Sequence, residues 1–234
     1  ELQLGFLKML RGTGLRSQAK QWNYEYMDQA PYEIVSNNVM PFTDIIRIKQ
    51  VEDVLEKYWN DHRMDHGVEY LVSMVYPSPF DFFQEFGSYW EDKNWSRIGH
   101  QPEDLFKRLV EFNQQAYPEN QDMLVSLLKV DYLENLSFKP RKPWWDTTMT
   151  KQEKSPYYQA AIHEPERISA DFASLKLNEK DMYKHVLIEE IDIDYSHYQQ
   201  TGEYRSKKNL VLAYFNPKEG CSKLFFTEPE TLLS

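Results

Sequence analysis

The chain has 234 residues, 41% of them hydrophobic and 15% aromatic, which suits one large folded domain or two smaller ones and excludes a disordered chain. Its 27 basic and 37 acidic residues leave a net charge of −10, which disfavours nucleic acid and anionic membrane surfaces as partners. One cysteine, Cys221, excludes an internal disulfide and an iron–sulfur cluster held by this chain alone; no apolar run approaches the roughly 20 residues of a membrane span and no signal peptide is visible, so the expected compartment is reducing and cytoplasmic.

The chain opens ELQLGFLKML, and residues 2–10 read as a strand buried on both faces, running into the turn Arg11-Gly12-Thr13-Gly14. A short mixed segment follows, then an extended stretch at Pro31 to Val35. From Thr43 to His62, the residues Ile45, Ile48, Val51, Leu55, Tyr58 and Trp59 recur at three- and four-residue steps and predict one long helix. A second apolar stretch runs from Val68 to Val75. Ser78-Pro79-Phe80-Asp81 carries a helix start, with a serine cap, proline at the first helical position and an acid in the first turn. Phe82, Phe83, Phe86, Tyr89 and Trp90 form that helix's apolar face. Further helices are predicted from Pro102 and over Asn120 to Leu136.

The pattern changes near residue 137, where SFKPRKPWWDTTMTKQEKSPYY mixes prolines, cations and two adjacent tryptophans, the mark of a long ordered loop or a subdomain boundary. Helices are expected around 151–164 and 178–184. Three strand-like runs follow, 186–193, 210–215 and 223–227, the last two joined by a hairpin at Asn216-Pro217-Lys218-Glu219-Gly220.

Several residues invite a chemical reading. His62 and His66 stand four apart, which on one helix would put two imidazoles on one face for a metal, although HExxH is absent and Gly67 points to a helix end. His163 beside Glu164 and Glu166 offers an acid/base pair, or a helix end followed by a proline turn. Lys139, Arg141 and Lys142 beside Trp144 and Trp145 offer cations and stacking faces for a ligand, or an anchor that pins a loop to the core. Glu189, Glu190, Asp192 and Asp194, with Glu203, form an acidic strand that binds a divalent cation or, in the structural reading, is the solvent face of an edge strand. Cys221 follows a glycine in a turn and has no CxxC partner. By spacing alone, Arg11-Gly12-Thr13-Gly14 is a turn and not a phosphate loop.

The opening LQLGFLK-ML-RGT-GLR, followed by Ala19, YEY and PYEIV, resembles the junction in cobalamin-binding radical SAM proteins where the barrel meets a C-terminal region called domain of unknown function 4080. On that resemblance, residues 1–38 are a barrel remnant and connector, 39–140 a helical subdomain and 141–234 an α+β subdomain packed with the helices as one domain. Residues 2–10 would be a severed barrel strand. Gly12 and Thr13 would line a cofactor pocket in the intact enzyme, as active sites lie at the C-terminal ends of barrel strands. The resemblance implies a [4Fe–4S] cluster, S-adenosylmethionine and cobalamin for the full-length protein, none of them held by this segment, and its partners would be the N-terminal domains of its own chain and an unknown substrate.

The expected fold is α+β and predominantly helical, a helical bundle followed by a small antiparallel sheet of about three strands. The expected function is that of a non-catalytic accessory domain that covers the barrel mouth and contributes to substrate binding, with Trp144, Trp145 and Arg141 as substrate- or partner-binding residues. The alternatives are a protein-interaction module with an exposed aromatic surface, and a metal-dependent hydrolase if His62, His66 and an acid converge.

Overall fold

The computed structural model describes residues 1–147 and 149–234. The chain folds into two compact units, Glu1–His62 with Val72–Gly99, and Arg63–Leu71 with His100–Ser234.

The first unit begins with an extended segment, a short helix α1 (Gly14–Ser17) and two brief antiparallel strands, β1 (Glu25–Tyr26) and β2 (Ile34–Ser36). Helix α2 (Phe42–Leu55) follows and continues as a π-helical turn over Glu56–Asn60, so the helix predicted to reach His62 stops two residues earlier. The chain next contributes α3 (Asp65–Tyr70) to the second unit and returns to build α4 (Pro79–Asp92) in the first. Helix α4 starts as its sequence predicts, with the Ser78 hydroxyl accepting the Asp81 N–H at 3.2 Å and Pro79 in the first turn. Its buried face, Phe82, Phe83, Phe86 and Trp90, packs with α2, whose own buried residues include Val51, Val54 and Leu55. Just past α2, Tyr58 meets the Phe86 ring edge-on at 4.8 Å. Gly87 permits the close approach of the two helices: a Cβ there would lie 2.7 Å from the Gln50 carbonyl oxygen.

Residues 2–10 are not the doubly buried strand that their composition predicts. The segment makes one isolated bridge, Lys8 to Glu33, and among its residues only Met9 is buried. Leu2, Leu7 and Leu10 are exposed. A strand buried on both faces needs long neighbours, and β1 and β2 are two and three residues long.

The second unit holds α5 (Pro102–Ala116), α6 (Gln121–Glu134), α7 (Lys151–His163), α8 (Ala170–Ser174), α9 (Glu179–His185), β3 (Val186–Asp192), α10 (Tyr195–Thr201), β4 (Lys208–Asn216), β5 (Cys221–Thr227) and α11 (Pro229–Leu233), with α3 packed among them. The strands form one antiparallel sheet in the order β3–β4–β5, with Val186 opposite Tyr214 and Leu210 opposite Thr227. The α+β, mainly helical fold with a three-stranded sheet near the C-terminus is thus as expected, and Asn178 caps α9 through the Asp181 N–H at 2.9 Å.

Helix α6 is buried on nearly every side. Leu124, Leu127, Leu128, Val130 and Leu133 are fully buried, and so, nearly, are Ser126, Lys129 and Asp131. The polar three reach specific backbone groups. Two of them finish the outer edge of β3: Lys129 Nζ donates to the Glu190 carbonyl at 2.7 Å, and Ser126 Oγ accepts the Asp192 N–H at 2.8 Å. Lys139 Nζ and the Tyr158 hydroxyl both donate to the Val186 carbonyl, at 2.6 and 3.0 Å. An edge strand that would otherwise present unpaired backbone groups is covered by side chains.

Gly87→Ala is expected to lower stability by about 1–3 kcal/mol, because rigid backbone meets the new methyl and the helix-propensity gain of about 1 kcal/mol cannot offset it. Gly67→Ala, whose Cβ would meet the Leu128 side chain at 2.5 Å and Asp131 Oδ2 at 3.4 Å, side chains and not backbone, is expected to cost less. Urea unfolding of both variants measures the difference.

Candidate functional site

Chemistry-bearing side chains converge in the second unit on His66, at the first turn of α3. The reason is the short helix itself. Six residues do not form a stable helix alone, and their first N–H groups need acceptors. Asp131 of α6 supplies them: Oδ1 accepts the His66 N–H at 3.0 Å and Oδ2 the Gly67 N–H at 2.9 Å. Met64 and Val68, both fully buried, anchor the segment to either side.

That docking leaves the His66 imidazole among three side chains. Nε2 lies 3.3 Å from the Glu134 carboxylate and 3.1 Å from the Tyr195 hydroxyl, and Nδ1 lies 3.5 Å from the Tyr198 hydroxyl. Both tyrosine rings meet the imidazole edge-on. Tyr195 and Tyr198 share a face of α10, three residues apart, and that helix starts where the Asp194 carboxylate accepts the His197 N–H. Tyr198 stacks on Tyr204 at 4.9 Å, and Tyr204 meets Tyr70 edge-on.

Burial sets the electrostatics. Asp131 is 2% exposed, and desolvation pushes its carboxyl up to about 7 against the lowering influence of His66 and the two backbone donors. Burial pulls the His66 pKa down, but the Glu134 hydrogen bond and the Asp131 and Glu134 charges outweigh it, so the value ends above that of a free imidazole. The Tyr195 phenol is held up by burial and by the Glu134 and Asp131 charges. The group is therefore a proton-holding site: an imidazole with both nitrogens engaged, a counter-charge beside it and a carboxyl that titrates near neutrality.

The residues singled out in the sequence are distributed otherwise. His62 has a positive φ of 51° in the turn after the π-helical turn and falls in the first unit, whereas His66 is on α3 of the second, so the two imidazoles do not share a helix face. Among the described residues, no group of three or more histidine, cysteine, aspartate or glutamate side chains is placed to hold a metal ion. His163 ends α7, and Pro165–Arg167 forms a 3-10 turn after it. Gly12, at φ 80°, and Thr13, which caps α1 through the Arg16 N–H, are exposed in the first unit. Trp144 and Trp145 are buried, the first stacked on Phe106 at 5.5 Å and the second edge-on to Tyr132 at 5.6 Å, while Arg141 is exposed. Cys221 opens β5 at an exposed position. The acidic strand is not one solvent face. Glu189 is fully buried and paired with Lys154 at 2.8 Å, whereas Glu190 faces Lys208 at 3.3 Å and Asp192 accepts from Ser206. Glu203 lies 3.3 Å from His197.

Sequence reasoning reached His66 but not its partners. Asp131 did carry a signal, an acid inside the apolar run Leu124 to Leu133, where a charge has to find a buried partner.

The family model described as "Protein of unknown function (DUF4080)" matches residues 20–213. The chain belongs to this family. No curated protein and no solved structure matches it. The DUF4080 match spans His66, Asp131, Glu134, Tyr195 and Tyr198 together with the tryptophan pair, and leaves Gly12 and Thr13 outside.

Two outcomes follow from the electrostatics. Asp131 holds its proton in the folded state at pH values where the unfolded chain, with the ordinary aspartate value of 3.8, has released it, so its contribution to stability falls as pH rises from about 4 to about 7. His66, raised in the folded state, stabilises below its unfolded value and loses that contribution as pH rises through its folded value, so the two slopes share a sign. The melting temperature should fall by several degrees between pH 5 and 8, and Asp131→Asn or His66→Gln should each flatten that fall. Asp131→Ala, which strips two buried N–H groups of their acceptor, should cost about 2–4 kcal/mol, measured by urea unfolding.

Proposed function

We propose that this DUF4080 chain is the C-terminal accessory domain of a cobalamin-type radical SAM enzyme, non-catalytic by itself, covering the mouth of the barrel and contributing to substrate binding. The observation that carries the reading is the segment 2–10, where Leu2, Leu7 and Leu10 are 52%, 39% and 48% exposed in a stretch that composition marks as core. Apolar side chains displayed along extended backbone are the surface that a neighbouring part of the same protein covers. The resemblance of the opening residues to a barrel's end names that neighbour.

The reaction centre belongs to the other domains. A [4Fe–4S] cluster needs several cysteine thiolates, and this chain supplies Cys221 alone, so its residues do not fit the cluster and no step is routed through it. What the domain supplies is an apolar surface and placed polar groups, the His66 cluster among them.

A second reading has its own support in the first unit. Val39, Phe42 and Phe80 are 85%, 54% and 58% exposed, near a groove of about 520 Å³ lined in part by Met40, Ile48 and Phe80. Such a patch suits a protein-interaction module.

The deciding measurement uses the full-length gene product, purified without oxygen, with and without residues 39–234. The proposal expects an iron–sulfur absorption band and reductive cleavage of S-adenosylmethionine in both proteins, and loss of substrate turnover on truncation. A full-length protein without a cluster would overturn it and leave the interaction module.

A further inference from the structure

A cavity of about 310 Å³ lies in the second unit, where the last turn of α7 meets α8 and α9. It reaches the apolar core: Ala161, Phe172 and Met182 line it, and each is at most 2% exposed. Ile162 and Leu177 add further apolar lining. Protein interiors are close-packed, with few voids larger than a water molecule, so a space of this size against the core is unusual. It falls at the small end of the roughly 300–1,000 Å³ typical of ligand sites, which suits a short chain and not a long lipid.

Of the described residues that line the cavity, Lys176 alone carries a charge. Among the described residues it has no ion-pair partner. Arg167, in the turn between α7 and α8, is by contrast taken by Glu164 and by the Leu232 carbonyl. The backbone at Lys176 is itself unusual. The residue follows the C-cap of α8 with a φ of 49°, in the left-handed region where a helix usually ends on glycine. A lysine is strained there and a glycine is not. Strain of this kind gathers where a particular side chain has a use. An apolar recess with one unpaired ammonium in its wall matches one kind of ligand, a short hydrocarbon chain that ends in a carboxylate. The chain leaves water for the recess, and the head meets the cation at the surface, where Lys176 is exposed.

We propose that this cavity binds a short apolar carboxylate, with Lys176 as the group that holds its head. Ala161, Phe172 and Met182 select for hydrocarbon, and the ammonium selects for the anionic end. The proposal goes beyond the accessory-domain reading and does not rest on it. Binding is measured on this chain without any radical chemistry, so a full-length protein lacking a cluster would sink that reading and leave the carboxylate site standing.

The test is a calorimetric titration of the 234-residue chain with sodium hexanoate, against sodium acetate and 1-hexanol at matched ionic strength. Saturable binding of hexanoate is expected, with none of acetate, which lacks the chain, and about tenfold weaker binding of hexanol, which lacks the charge. Ala173→Leu, which adds bulk to the cavity wall, should weaken hexanoate binding at least tenfold. Lys176→Gly separates binding from folding. It relieves the left-handed strain, so the variant should melt no lower than wild type, and yet it should bind hexanoate only as weakly as hexanol. No saturable binding of hexanoate, equal affinities for hexanoate and hexanol, or unchanged hexanoate binding in folded Lys176→Gly overturns the proposal.

Discussion

The second unit depends on one buried carboxylate. Asp131 sits on a helix surrounded by protein and accepts two backbone N–H groups from the first turn of α3. Without it, the first turn of a six-residue helix would lose the acceptor of two of its N–H groups, and apolar packing at Met64 and Val68 alone would hold it. With it, Gly67 can approach so closely that a methyl group would collide with Leu128, and His66 is delivered to Glu134, Tyr195 and Tyr198. The site is thus a consequence of how a short helix is held.

The same helix does this more than once. Ser126, Lys129, Asp131, Tyr132 and Glu134 of α6 reach Asp192, Glu190, α3, Glu103 and His66 in turn. A wholly apolar helix in that position would bury as much area with less desolvation, and would pack in several rotations about its axis. Each polar side chain has specific partners at one place, and together they define a single register. Buried polar groups of this kind exchange stability for a unique arrangement.

What could be read from the sequence was local. Ser78-Pro79 started its helix, and the turn at residues 216–220 joined its two strands, because caps and turns are decided by neighbours in the chain. The misreading was non-local. The apolar run 2–10 has core composition, but its burial depends on strands that its unit does not supply. The pair His62 and His66 has helical spacing, and a helix end does separate them, one helix stopping at Asn60 and the next beginning at Asp65. The partners of His66 lie 65 to 132 residues away in the chain, and no periodicity joins them. Glu189 is the middle case: alternation along a strand puts it on the face opposite Glu190, but which face is buried depends on α6 and α7, and so does the pairing with Lys154.

The chain as a whole carries a net charge of −10, but its buried charges are held in local balance. Among the described residues, Glu189 pairs with Lys154, Lys129 feels the charges of Glu189 and Glu190, and Asp131 is met by two backbone N–H groups and by His66. A charge taken out of water persists only where such a partner stands beside it, so each of these residues ties its helix or strand to one neighbour.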